Sequence, residues 1–227
     1  MSLTTFENVQ CPCGEVFQAE IISSINAQLD PELKELLIGG ELNILKCPSC
    51  SEFFYVEHFL LYFDPPVQLL AFIYPKSFEL EKRRWENKMK EDFAASQEKF
   101  EPEEKVKYQP IIMFGLDSLV ELLNHENDLA DETEIVRYLS KDAGLKIIRI
   151  EMFHAREKKI PENLPCAEDI AKTNLSLREN VLSGLKKIIE LSPELVIYRN
   201  LLNTISNDPV WSVSAIVTES KTEKKSK

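Results

Sequence analysis

An α+β fold is predicted for this 227-residue chain on three observations. Two tight cysteine pairs, Cys11-Pro12-Cys13 and Cys47-Pro48-Ser49-Cys50, each lie between segments rich in β-branched and aromatic residues. Near Phe78 the hydrophobic period changes from that of a strand to that of a helix. Beyond residue 110 apolar residues recur mostly at helical spacing, with a few alternating stretches between them. The expected organisation is a β domain with an inserted helix at 1–75, a long amphipathic helix and linker at 76–110, a mainly helical region at 111–218, and a disordered basic tail at 219–227.

Phe6–Gln10 leads into the first cysteine pair and Glu15–Ile21 leads out, with Val16, Ala19 and Ile21 as its apolar positions. A short helix follows. Asp30 suits its N-cap, Pro31 its first position, and Leu33, Leu36 and Leu37 one apolar face, before Gly39-Gly40 ends it. Leu42–Lys46 leads into the second pair and Phe53–Phe63 leads out; Asp64-Pro65-Pro66 then turns the chain into a strand at Val67–Tyr74. Phe78, Trp85, Met89, Phe93 and Phe100 form a narrow stripe on an otherwise charged helix, and such a stripe docks on a core more often than on a partner helix. Glu101–Pro110 reads as the linker. Helices are expected at Asp117–Asn124, Asp131–Ala143, Leu175–Leu191 and Glu194–Ile205, with strands at Lys146–Phe153 and Val210–Val217.

The formal net charge of −11 repels phosphate backbones and disfavours nucleic-acid binding, including by a transcription-type cysteine ribbon. The longest apolar stretch, Phe59–Tyr74, is broken by Asp64-Pro65-Pro66 and Gln68, so no membrane span is expected. MSLTTFENVQ has neither a basic n-region nor an apolar run, and the expected location is cytoplasmic, where thiols stay reduced.

In that setting paired cysteines bind metal more often than they bridge. Zinc takes four ligands at tetrahedral corners, and thiolates satisfy it well. Each tight turn supplies two corners from one backbone segment; Pro12 and Pro48 restrict φ, and Gly14 permits a sharp exit. Cys11, Cys13, Cys47 and Cys50 are therefore the candidate ligands of one structural Zn2+, in a zinc-ribbon-like layout with a helix between its halves. Cys47-x-x-Cys50 has the usual knuckle spacing and Cys11-x-Cys13 is one residue shorter. Two alternatives stay open: a redox dithiol and four unliganded thiols. The redox reading is disfavoured because Cys50 is followed by Ser51-Glu52 and a strand, where a reactive pair would open a helix. Four cysteines close the coordination sphere, and no H-E-x-x-H or H-x-E pattern offers a hydrolytic site.

The other candidates are weaker. Cys166 reads as a small buried hydrophobe; a nucleophile would need a histidine such as His125 or His154 beside it. His58, on a strand, reads as exposed or satisfied, with a fifth place near the metal as the alternative. Glu126, Asp128, Asp131, Glu132 and Glu134 read as a solvated acidic loop, since a calcium loop would need a central glycine. The glycines form no phosphate-binding pattern.

Cys11-Pro12-Cys13-Gly14 with Val16-Phe17, then Pro31-Glu32-Leu33, Ile38, Leu42-Asn43 and Cys47-Pro48-Ser49-Cys50, resembles the CpXC-domain proteins of bacteria and archaea. Tyr62-Phe63-Asp64 and Phe72-Ile73-Tyr74-Pro75 are similar to the strands that close that domain, and Gly115–Val120 to the helical extension of longer members. The resemblance extends over roughly residues 6–150. It implies metal binding by Cys11, Cys13, Cys47 and Cys50, and it names no substrate, reaction or partner. The expected function is a zinc-stabilised, non-catalytic binding or scaffold protein that meets a protein partner. The alternative is an enzyme with a site between the N- and C-terminal regions.

Overall fold

The structure is a computed structural model and describes residues 2–168, 174–213 and 216–217. The chain is α+β and divides into two units between Asn124 and His125.

In the first unit, β1 (Leu3–Gln10) and β2 (Val16–Asn26) form an antiparallel hairpin around the first cysteine pair. Helix α1 (Pro31–Ile38) begins at proline, as expected. Its Asp30 caps differently from the expectation: the carboxylate makes no cap bond to the helix and accepts instead from the Ser2 N–H at 2.8 Å, tying down the start of the chain. Strands β3 (Ile44–Lys46) and β4 (Phe53–Tyr55) form a second small hairpin around the second cysteine pair. The aromatic run expected as one strand from Phe53 to Phe63 is interrupted, and resumes as β5 (Leu60–Asp64). A 3-10 turn at Pro65–Val67 leads to β6 (Leu69–Tyr74). A second 3-10 turn, Lys76–Glu81, precedes α2 (Lys82–Gln97).

Ile111–Phe114 is a strand, β7, that the sequence reading omits. It pairs parallel with β6, from Ala71 with Ile111 to Tyr74 with Phe114. The sheet order is β1-β2-β5-β6-β7, with β2 and β5 parallel and β5 and β6 antiparallel. All six residues of β6 are buried, which an inner strand covered on both faces requires. Leu69, Ala71 and Ile73 face a core with Leu37 of α1 and with Leu119 and Leu123. Leu70, Phe72 and Tyr74 face the other way, toward Trp85, Met89 and Phe93 of α2. The stripe on α2 is thus consumed by its own core, apart from Phe100, which stays exposed. Residues 111–124, expected with the C-terminal region, contribute to the first unit's sheet and core.

Two helices were expected between Asp117 and Ala143, and the structure has one, α3 (Leu116–Asp142). His125–Ala130 holds neither Gly nor Pro, so nothing in the chain breaks the hydrogen-bond ladder there.

In the second unit, β8 (Lys146–Ile150) runs into a short helix, α4 (Met152–Lys158), where a continued strand was expected. Glu151 starts that helix by accepting from the Phe153 and His154 N–H groups. Strand β9 (Asn163–Cys166), also outside the sequence reading because Pro165 lies in it, pairs antiparallel with β8. Helices α5 (Leu177–Leu191) and α6 (Val196–Asn207) follow close to expectation, and Ser176 with Glu179 forms a capping box on α5. Of the strand expected at Val210–Val217, Ile216–Val217 is formed as β10 and pairs with β8. The tail expected at 219–227 lies outside the described residues. Val181, Leu185 and Ile188 of α5, Tyr198 and Leu201 of α6, and Leu164 and Cys166 share one core. Gly184 lets α5 press on β9: a Cβ there would lie 2.3 Å from the Pro165 carbonyl oxygen.

Candidate metal centre

The two cysteine pairs are carried by turns of one design and different length. In the first, the Gly14 N–H donates to the Cys11 carbonyl and the Cys11 N–H donates to the Glu15 carbonyl, both at 2.8 Å. In the second, the Ser51 N–H donates to the Cys47 carbonyl at 3.0 Å and the Cys47 N–H to the Glu52 carbonyl at 2.9 Å. The residue that leaves each turn has positive φ, 96° at Gly14 and 64° at Ser51. The extra residue of the second turn is absorbed inside the same hydrogen-bonded frame, which is how C-x-C and C-x-x-C present their sulfurs alike.

The four thiols converge. Cys11 Sγ lies 3.7 Å from Cys50 Sγ, Cys13 Sγ lies 3.8 Å from Cys47 Sγ, and all four lie within 4.8 Å of one another. Each close pair spans the two hairpins and joins a buried sulfur to an exposed residue, Cys11 to Cys50 and Cys47 to Cys13. Sulfurs placed about 2.3 Å from a central ion at tetrahedral corners are about 3.8 Å apart along each edge. The donor set and these two edges fit a metal ion bound by all four thiolates.

Without a cation, burial and neighbouring thiols oppose the ionisation of Cys11 and Cys50. The Cys13 N–H favours the Cys11 thiolate, but burial and the three neighbouring thiols outweigh it and push Cys11 up to about 12. The Glu52 N–H favours the Cys50 thiolate, and burial with the Cys47 and Cys13 thiols again outweighs it, so Cys50 is raised. Cys47 goes the other way: the Cys50 N–H, and then the Ser49 N–H, hold it down at about 7 against burial. The second turn therefore favours the Cys47 thiolate, and a divalent cation is what would let Cys11 and Cys50 ionise beside it.

Three further contacts hold the hairpins together. Phe17 of β2 packs edge-on against Phe54 of β4, with centroids 6.1 Å apart. Asn43, at φ 56°, accepts from the Ile22 N–H through Oδ1 at 2.9 Å and donates from Nδ2 to the Ile22 carbonyl at 3.0 Å. Its own carbonyl accepts from the Val56 N–H at 3.1 Å. The sequence reading quotes Asn43 and gives it no role; the usable signal is an asparagine just ahead of a strand, where a left-handed backbone is tolerated.

The remaining candidates have structural surroundings. His58 lies outside the sulfur cluster, with Nδ1 2.9 Å from the Phe59 carbonyl and Nε2 3.7 Å from Glu7. Cys166 is fully buried in the second unit's core, and burial pushes its thiol up to about 12. The acidic cluster lies on helix α3, not in a loop. Glu126 pairs with Arg156, and Glu132 accepts from the Ile197 and Tyr198 N–H groups at the start of α6. No helix among the described residues is long and apolar enough to cross a membrane.

A mixed five-stranded sheet and a separate two-stranded hairpin that share a four-cysteine cluster define an α+β protein with a candidate metal centre. Residues 9–136 match the family described as CpXC protein, and the chain belongs to that family. The match includes all four clustered cysteines. No curated protein and no solved structure matches the chain.

Proposed function

We propose that Cys11, Cys13, Cys47 and Cys50 bind one Zn2+ as a closed structural centre of zinc-ribbon type, and that the protein is a non-catalytic binding or scaffold module. The observation that carries this reading is the pair of cross-hairpin sulfur separations, 3.7 and 3.8 Å, at the edge length of a tetrahedral thiolate site. Four protein thiolates leave no coordination position for water, so the ion would organise structure and supply no nucleophile.

Hairpin β3–β4 has three residues in each strand, too little to be stable alone. Zinc binding worth about 10–16 kcal/mol in small zinc-finger peptides is ample to order it. Its outward face then displays Ile44, Phe53 and Tyr55, all exposed, with the Lys46 ammonium over the Phe53 ring at 5.8 Å. That face suits a protein partner, and the net charge of −11 supports the exclusion of nucleic acid. Unbridged thiols at every described cysteine suit a reducing, cytoplasmic setting.

Elemental analysis of protein purified without a metal-affinity tag tests the reading. About one zinc per chain is expected, together with a large fall in thermal midpoint when a strong chelator removes it. Less than about half an equivalent, or a midpoint indifferent to chelation, overturns it.

A further inference from the structure

We infer that Asn43 is a positioning residue for the metal centre: its side-chain amide holds the second cysteine hairpin against the strand that leaves the first, so the four sulfurs converge before an ion arrives. The inference rests on the metal reading above.

Strand β5 pairs with β2 only from Ser24 onward, Ser24 opposite Leu61. At Ile22, nearer the cysteine end of β2, no β5 residue is paired, and the amide of Asn43 bonds to both the N–H and the carbonyl of Ile22 at 2.9 and 3.0 Å. One side chain thus makes the pair of bonds that a neighbouring strand would make. The same residue closes the base of the β3–β4 hairpin, since its carbonyl accepts from the Val56 N–H while Ile44 stands opposite Tyr55. Its left-handed backbone, φ 56°, turns the chain from Leu42, buried in the first unit's core, into β3 and on to Cys47 four residues later.

The chemistry needed at position 43 is narrow. The site calls for one donor and one acceptor on a short planar group, on a residue that tolerates positive φ. Aspartate keeps the acceptor and loses the donor. Glycine keeps the backbone and loses both bonds. With the amide gone, the ion itself would have to gather the hairpins, and affinity would fall although every ligand remains.

The test uses the full chain and Co2+ and Zn2+ as probes. Asn43→Gly and Asn43→Asp are compared with the unaltered protein by zinc competition against a chromogenic chelator and by the thiolate–cobalt absorption bands. Ile73→Val, a small cavity in the first unit's buried core, serves as a stability control. The expected result is zinc affinity about tenfold or more weaker in Asn43→Gly, the range seen when residues that orient metal ligands are lost. Asn43→Asp should fall between, and Ile73→Val should bind as the unaltered protein does. Equal affinity in Asn43→Gly and the unaltered protein overturns the role of Asn43. So does an equal loss in Ile73→Val, because affinity would then follow stability alone. An unaltered protein that binds neither ion overturns the metal reading, which is a separate outcome.

Discussion

Replacing Gly184 by alanine tests the packing of the second unit at its tightest point. The added Cβ would stand 2.3 Å from the Pro165 carbonyl oxygen, 2.5 Å from the Pro165 carbonyl carbon and 2.8 Å from the Cys166 nitrogen. These neighbours are backbone atoms of β9, which is held to β8, so no side chain can swing away. Carbon needs about 3.5 Å from another carbon, so α5 and β9 must separate by about 1 Å. Val181, Leu185 and Ile188 would withdraw with the helix from Leu164 and Cys166, and a gap of that size forfeits up to about half of each contact's attraction. Overpacking of this kind costs about 1–3 kcal/mol, against a gain of about 1 kcal/mol from alanine's better helix propensity. Because the neighbours are backbone atoms that cannot yield, the cost falls toward the upper end of that range, and a net destabilisation of about 1–2 kcal/mol is expected. For a unit of about 100 residues that lowers the midpoint by roughly 4–15 °C. Calorimetry with Ser183→Ala as companion separates the causes, because Ser183 is exposed on the same helix and gains propensity without a clash. A Gly184→Ala midpoint at or above that of the unaltered protein would refute the reasoning.

The other expectations concern protons and a buried hydroxyl. Tyr198, fully buried, donates to the Asn163 carbonyl at 2.9 Å; Tyr198→Phe should cost about 1–3 kcal/mol in urea unfolding, and a neutral result would mean the carbonyl finds another donor. Zinc loading at pH 7.5 should release at least two protons per ion, from Cys11 and Cys50, whose thiols are raised, so affinity should climb with pH. Calorimetry in buffers of different ionisation enthalpy measures that number, and a release of one or none contradicts the thiol environments described. Asp30 and Glu179 are held below their ordinary values, first by the side chains of Ser2 and Ser176 and then by the same residues' backbone N–H groups. Depressed carboxylates stabilise fully above their unfolded values near 3.8 and 4.5, and that contribution is lost as pH falls through the folded ones. The double variant Asp30→Asn, Glu179→Gln should therefore show a shallower stability loss below about pH 4.5, and identical acid limbs would count against the assignment.

The cysteine cluster was legible because its information is local: proline after the first cysteine, and glycine or a small residue at the turn's exit, leave few ways to run the chain. The α1 helix, the α2 stripe and α5 were legible for the same reason, each carrying its own start signal or period. Strand β7 was not, because Ile111–Phe114 is four residues long and becomes a strand only beside β6. Pro165 hid β9, since proline ordinarily argues against a paired strand. The break expected in α3 came from a polar stretch, yet polar residues without Gly or Pro continue a helix readily. Asn43 shows the sharpest limit, because its two partners on Ile22 lie 21 residues away and nothing near it in the chain announces them.

The parallel pairing of β2 with β5 has a consequence for how the chain reaches its fold. Ser24 must find Leu61 across an intervening loop that contains α1, both small strands and the second cysteine turn. Joining distant segments is entropically expensive and slows folding. An ion held by Cys13 and Cys47 would close a loop between residues 34 apart, and a link of that length would restrain an unfolded chain by about 4 kcal/mol. A bound ion would then hold β2 within reach of β5 whenever their hydrogen bonds open, and its effect would be felt in the rate of unfolding as well as in final stability.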